Sequence, residues 1–106
     1  MVDINIRKEI TEIALKYADI LKREYDLHSM YLYGSYAKGH YHQDSDIDLA
    51  VITDDLSGDI IEDTFKLMKY RRMVDNRIEP HPFLAREFTF ENPMAREVME
   101  TGIWIV

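Results

Sequence analysis

The sequence predicts an α/β (α+β) fold: a single small mixed β-sheet of about four strands, with helices packed on it. Three observations lead there. The opening segment repeats apolar residues every three or four positions, as a long amphipathic helix does. Short apolar runs rich in aromatic and β-branched residues follow, separated by turn-forming residues. The elements read in the order α-β-β-α-β-α-β, without an internal repeat or a low-complexity stretch. At 106 residues the chain has room for one domain, residues 1–106, with one modest core.

From about Asp3 to Tyr25, the residues Ile6, Ile10, Ile13, Tyr17, Ile20, Leu21 and Tyr25 form the apolar stripe of a helix that packs on the sheet. Arg7, Lys8, Lys16, Lys22 and Arg23 are interleaved with Glu9, Glu12 and Glu24, which reads as a solvated face. Asp26 to His28 turn the chain into a first strand, Ser29 to Tyr33. A small-residue turn from Gly34 to Gly39 follows, and its two glycines let backbone N–H groups approach a ligand. A helical turn from about Tyr36 aims its first amides and the Ser35 hydroxyl at an anion.

Asp46 to Thr53 is a second strand, and its run Leu49-Ala50-Val51-Ile52 suits a central position. A polar connector from Asp54 to Asp59 leads to a second helix, ending near Val74, with Lys66, Lys69, Arg71 and Arg72 placed late, where cations complement a helix C-terminus. Arg77 to Leu84 is a third strand; Pro80 and Pro82 cannot donate to a ladder, which places it at an edge. Alternation sets Arg77, Glu79 and His81 on one face. Residues 85–92 read as irregular, Pro93 opens a last helix, Gly102 stops it, and Ile103 to Val106 form a terminal strand.

Composition narrows the function. There is no cysteine, which excludes disulfides, thiolate metal sites and a cysteine nucleophile, and suits a reducing cytoplasm. No basic leader precedes an apolar core and no apolar run approaches the length of a membrane span, so a soluble cytoplasmic protein is expected. Thirteen Lys and Arg against twenty Asp and Glu give a net charge of −7, which disfavours a long nucleic acid as partner. A small nucleotide that brings its own Mg²⁺ is compatible with that balance, and so is a homo-oligomer.

In the second strand, Asp46, Asp48 and Ala50 share one face and Ile47, Leu49 and Val51 the other. Two carboxylates one strand repeat apart repel unless a cation lies between them; carboxylate oxygens are hard ligands and favour Mg²⁺ or Mn²⁺ over zinc. An acidic strand end left in solvent is the competing reading. The turn from Gly34 to Gly39 fails as a phosphate loop of NTPases, because His40 and Tyr41 stand where Lys and Ser or Thr are needed. Asp44, Asp46 and Asp48 fail as an EF-hand, because Leu49 replaces its glycine and Asp55 its glutamate. His40 and His42 read as exposed loop residues rather than metal ligands.

What remains is Gly34-Ser35, ten residues, then Asp46-Ile47-Asp48. This spacing resembles the signature of the DNA polymerase beta-like nucleotidyltransferase superfamily. The turn Gly-Ser-Tyr-Ala-Lys-Gly and the strand Ser-Asp-Ile-Asp-Leu-Ala-Val look like those of its minimal (MNT) members, and the likeness runs over nearly the whole chain. The resemblance implies the polymerase beta-like palm fold. It also implies that Gly34 and Ser35 contact a triphosphate, while Asp46 and Asp48 hold two divalent metal ions, Mg²⁺ or Mn²⁺. Glu79 best matches the third carboxylate on a later strand, with Asp75 or Glu87 as alternatives if the register differs. Many members have arginine where this chain has Lys38, and lysine lacks the bidentate fork on phosphate.

By the same resemblance, the protein is a metal-dependent nucleotidyltransferase that moves an NMP, such as AMP from ATP, to a hydroxyl. Minimal members often serve as antitoxins that modify a HEPN-family toxin. The alternative is a non-catalytic module that neutralises such a partner by contact. A transferase acting on a small molecule is the weaker third reading, for want of a substrate domain.

Overall fold

The structure is a computed structural model that describes residues 4–42 and 44–106; the expected helix start at Asp3 lies outside the described residues. In chain order the elements are α1 (Ile4–Glu24), β1 (Leu27–Tyr33), a single helical turn α2 (Ser35–Lys38), β2 (Ile47–Thr53), α3 (Ile60–Arg71), β3 (Ile78–Phe83), α4 (Pro93–Thr101) and β4 (Ile103–Trp104). A 3-10 turn, Ala85–Glu87, interrupts the segment expected to be irregular. The four strands form one mixed sheet in the order β3-β2-β1-β4. β1 pairs antiparallel with β2 and with β4, while β2 and β3 are parallel.

β2 is central because its residues read as apolar on both faces. Leu49, Ala50 and Val51 are all fully buried. One face of the sheet is covered by α1 and α3: Leu32, Ile47, Leu49, Val51 and Ile78 meet Ile10, Ala14, Tyr17, Ala18, Leu21 and Leu67 in one cluster. The alanines of α1 bring its axis close to the strands. The Tyr17 hydroxyl, buried there, donates to the Leu67 carbonyl at 2.6 Å and so ties α1 to α3. The other face carries a smaller cluster in which Ala50, Ile52 and Phe83 meet Ala95 and Val98 of α4.

β3 lies at the edge, as its prolines require. The Arg77 carbonyl accepts from Ile47 N at 2.8 Å, so alternation turns the nitrogens of Pro80 and Pro82 toward the open side, where no donor is missed. That first ladder bond also sets the start of β2 at Ile47 and leaves Asp46 outside the strand. Gly102 stops α4 as expected. Its backbone is extended rather than left-handed. A Cβ there would run into the Val98 carbonyl and come within 3.0 Å of the Leu32 carbonyl, so glycine is needed for close contact between α4 and β1.

Candidate active site

The site is built where β1 ends. Gly34 has φ 73° and ψ −148°, a conformation open to glycine. A Cβ added at Gly34 would collide with Oδ2 of Asp48. The turn can therefore lie against the carboxylate of the next strand only because this residue has no side chain. α2 follows, with Lys38 N donating to the Gly34 carbonyl and His40 N to the Ser35 carbonyl, both at 3.0 Å. Gly39, at φ 81°, closes α2 in the left-handed region, so its freedom serves the cap rather than a ligand. Beyond it, Tyr36 and Tyr41 stack with centroids 4.9 Å apart, and Arg77 Nη1 donates to Tyr36 Oη at 3.3 Å.

Register places the acids. Asp48 is the partner of Tyr33 on β1 and of Glu79 on β3, so the three side chains form one row across three strands on the face shared with α4. The next row is Tyr31, Ala50 and His81. The small Ala50 leaves the floor low, and His81 Nε2 lies 3.8 Å from Asp48 Oδ1 with its ring edge-on to Tyr33 at 5.5 Å. The side chains of Asp48 and Glu79 are 25% and 40% exposed, open enough to meet a ligand.

The surroundings are polar and charged. Arg71 Nη1, from the end of α3, donates to the Ile78 carbonyl at 2.9 Å and lies 3.4 Å from Glu79 Oε1. It thus caps the free edge of β3 and steadies the Glu79 carboxylate from outside. The Tyr33 hydroxyl is buried with no hydrogen-bond partner among the described residues. Burial pushes its pKa well above the usual tyrosine range, and the charges of Asp48, Glu97 and Glu79 push it further. Lys38 Nζ pairs with Glu97 Oε1 of α4 at 3.0 Å.

The structure thus brings Gly34, Asp48 and Glu79 together, with Ser35 adjacent in the chain. Asp46 is exposed and precedes the strand. Among the described residues no three acids or histidines converge as the ligands of an ion would. The donor set nevertheless suits a hard divalent cation, because register holds two carboxylates side by side and the third is two residues away in the chain.

The alternatives for the third carboxylate lie outside the row of Asp48 and Glu79. Asp75 is engaged by Arg77, whose Nε and Nη2 donate at 3.1 and 2.8 Å. Those bonds hold the Asp75 carboxyl below the usual range. Glu87 lies in the 3-10 turn, where it lines a hollow with Leu56, Gly58 and Ile60 and also the groove that reaches Glu79 and His81. His40 and His42 are exposed, and His42 Nδ1 accepts from Asp44 N at 3.3 Å. Sequence reasoning missed Tyr33, Arg71 and His81 as neighbours of the acids, and Glu97 as the partner of Lys38. For His81 the signal was present, because alternation already set it on the face of Glu79.

Comparison with known proteins agrees with this fold. The model of the family described as "Polymerase beta, Nucleotidyltransferase" matches residues 15–106. A protein of Methanocaldococcus jannaschii, provisionally named protein adenylyltransferase MJ1379, is 39% identical over 96 residues, covering 90% of this chain and 92% of that protein. A crystal structure of a provisionally assigned nucleotidyltransferase from Sulfolobus solfataricus superposes with a TM-score of 0.69 at 17% identity, over 95% of this chain and 83% of that one. A crystal structure described as a toxin-antitoxin with AMP-PNP superposes with a TM-score of 0.62 at 22% identity, over 91% of this chain and 72% of that one. A mutant of the toxin-antitoxin MntA-HpeT gives a TM-score of 0.57 at 22% identity, over 85% and 72% of the respective chains.

Proposed function

The chain belongs to the polymerase beta nucleotidyltransferase family, and on that premise we propose that it transfers AMP from ATP to a hydroxyl of a partner protein, with Asp46, Asp48 and Glu79 as ligands of Mg²⁺ or Mn²⁺. The observation that carries this reading is the row Asp48–Glu79 on adjacent parallel strands, bordered by a glycine that any side chain would drive into Asp48. When bound, the metal ions neutralise charge on the triphosphate and polarise the α-phosphate.

The chain's own residues do the rest. Gly34 and Ser35 form the triphosphate contact. Lys38 is a further contact once it leaves Glu97; an exposed ion pair contributes only about 0–1 kcal/mol, so exchange for a phosphate costs little. Glu79 opens onto a groove lined by Pro80, His81, Pro82 and Met94, where the acceptor hydroxyl enters. In the transfer, the acceptor oxygen forms a bond to the α-phosphorus, the bond to the β-phosphate breaks, pyrophosphate leaves, and a carboxylate of the row takes the hydroxyl proton. Placement and charge do the catalytic work; no covalent enzyme intermediate is needed.

A protein acceptor is supported by the name of the 39% identical relative. An antitoxin role is supported by the toxin-antitoxin structures that share the fold; a HEPN-family toxin as the partner rests on the family resemblance alone. The test is incubation with the product of the neighbouring gene, Mg²⁺ and α-labelled ATP, with Asp46→Asn in parallel. Label is expected on the neighbour with the unaltered chain and absent with Asp46→Asn. No label with any NTP would sink the enzymatic reading, and full neutralisation of the neighbour by Asp46→Asn would leave contact alone as the mechanism.

A further inference from the structure

The inner side of α3 is narrow: Leu67 packs into the core, and Asp63 accepts from Ser57 N at 2.9 Å. Its outer side is apolar where a surface helix is normally polar. Ile60, Ile61 and Phe65 are 67%, 66% and 63% exposed, and Met68 continues the row one turn on. Ile61, Phe65 and Met68 follow at i, i+4 and i+7, the spacing of a seam that packs against another helix. A contiguous exposed apolar patch of this kind marks an interaction site in a soluble protein.

The charges around the patch select the occupant. The chain is strongly acidic, yet residues 59–72 carry Lys66, Lys69, Arg71 and Arg72 against Asp59, Glu62 and Asp63, so this is a stretch where two copies meet without net repulsion. The acids come first and the cations last. Two such helices laid antiparallel bring opposite ends together, with the apolar row in the middle, and their dipoles oppose favourably. A two-fold axis satisfies this pattern with one sequence.

We propose that the outer face of α3 is a self-association surface, pairing antiparallel with the same face of a second copy through Ile61, Phe65 and Met68. In that arrangement Glu62 lies against Lys69 of the partner subunit, twice. Ile60 and Thr64 also line the groove that reaches Glu79 and His81, so the second copy borders the entrance to the active site. The surface stands independently of the catalytic reading. A single pair of three-turn helices is a small interface, so the dimer is weak and concentration-dependent.

Sedimentation velocity of the full chain over a rising concentration series is the test. The mass should climb from monomer toward dimer, and Phe65→Asp, with its helical circular dichroism unchanged, should remain monomeric. Glu62→Lys and Lys69→Glu should each weaken the dimer roughly tenfold, and an equimolar mixture of the two should regain the wild-type dimer, because each like-charge contact then becomes an opposite-charge one. A wild-type chain that stays monomeric throughout overturns the proposal. So does a mixture no better than either single variant. Loss of label transfer to an acceptor protein in Phe65→Asp, with the wild type monomeric, would assign the face to the acceptor instead.

Discussion

On the side covered by α1 and α3, Leu32, Leu49, Val51 and Ile78 are closed off from water. On the side under α4, the row Tyr33, Asp48, Glu79 stays partly open, beside a smaller cluster of Ala50, Ile52, Phe83, Ala95 and Val98. Both sides are made by the same strands. Successive residues of β2 point opposite ways, so a single step along the chain crosses from the part that holds the fold together to the part we propose meets a ligand. Stability and chemistry are therefore separable residue by residue, which mutations can test.

The sharpest break of the comparison uses neighbours. Asp48→Asn should lower nucleotidyl transfer on the order of a thousandfold, while thermal unfolding stays nearly unchanged, because asparagine keeps the side chain's size and shape and the residue is 25% exposed. Leu49→Ala, one residue on and fully buried, should cost about 2–5 kcal/mol of stability while the folded fraction keeps its turnover. Equal destabilisation by both changes would erase the distinction between the faces.

A smaller effect is expected at the joint of α1 and α3. Tyr17→Phe removes the hydroxyl bond to the Leu67 carbonyl and should lower the urea unfolding free energy by about 1 kcal/mol, with transfer activity intact.

The smallest effect is a pH dependence. Burial, joined by the charges of Tyr70, Asp63 and Glu24, pushes the Tyr25 pKa from 10.0 up to about 12. Burial also pushes those of Tyr17 and Tyr33 up. A raised folded-state pKa means that the unfolded chain releases protons first as pH rises. The stability contribution is thus complete below pH 10.0 and lost progressively toward pH 12. Urea midpoints measured across that window should fall with pH, and less steeply in Tyr25→Phe; an unchanged slope would show that Tyr25 is not involved.

Much of the fold was legible in residue pattern. The apolar stripe of α1, the central character of β2, the edge position of β3 and the alternation that puts Glu79 with His81 are local consequences of helix and strand geometry. Other features were not legible. The spacing of Ile60, Ile61, Phe65 and Met68 reads as a helix, but spacing does not say which side of the helix meets the core. The late cations of α3 read as helix-end charges, whereas Arg71 turns onto the edge of β3 and meets Glu79. Lys38 read as a phosphate contact, and its partner Glu97 is supplied by a helix distant in sequence. Gly39 read as a ligand-approach residue and instead caps α2.

The sequence by itself determined that a glycine-serine turn and two acids at alternate positions, one just before the strand and one within it, stand at a set spacing, because turn freedom and residue spacing are properties of a few consecutive residues. Tertiary structure alone decided that Glu79 lies beside Asp48 and that the open row faces α4 rather than α1. Register between parallel strands is set by long-range pairing, here from the Ile47–Arg77 bond onward, and by the packing of α3 that returns the chain to the edge of β2.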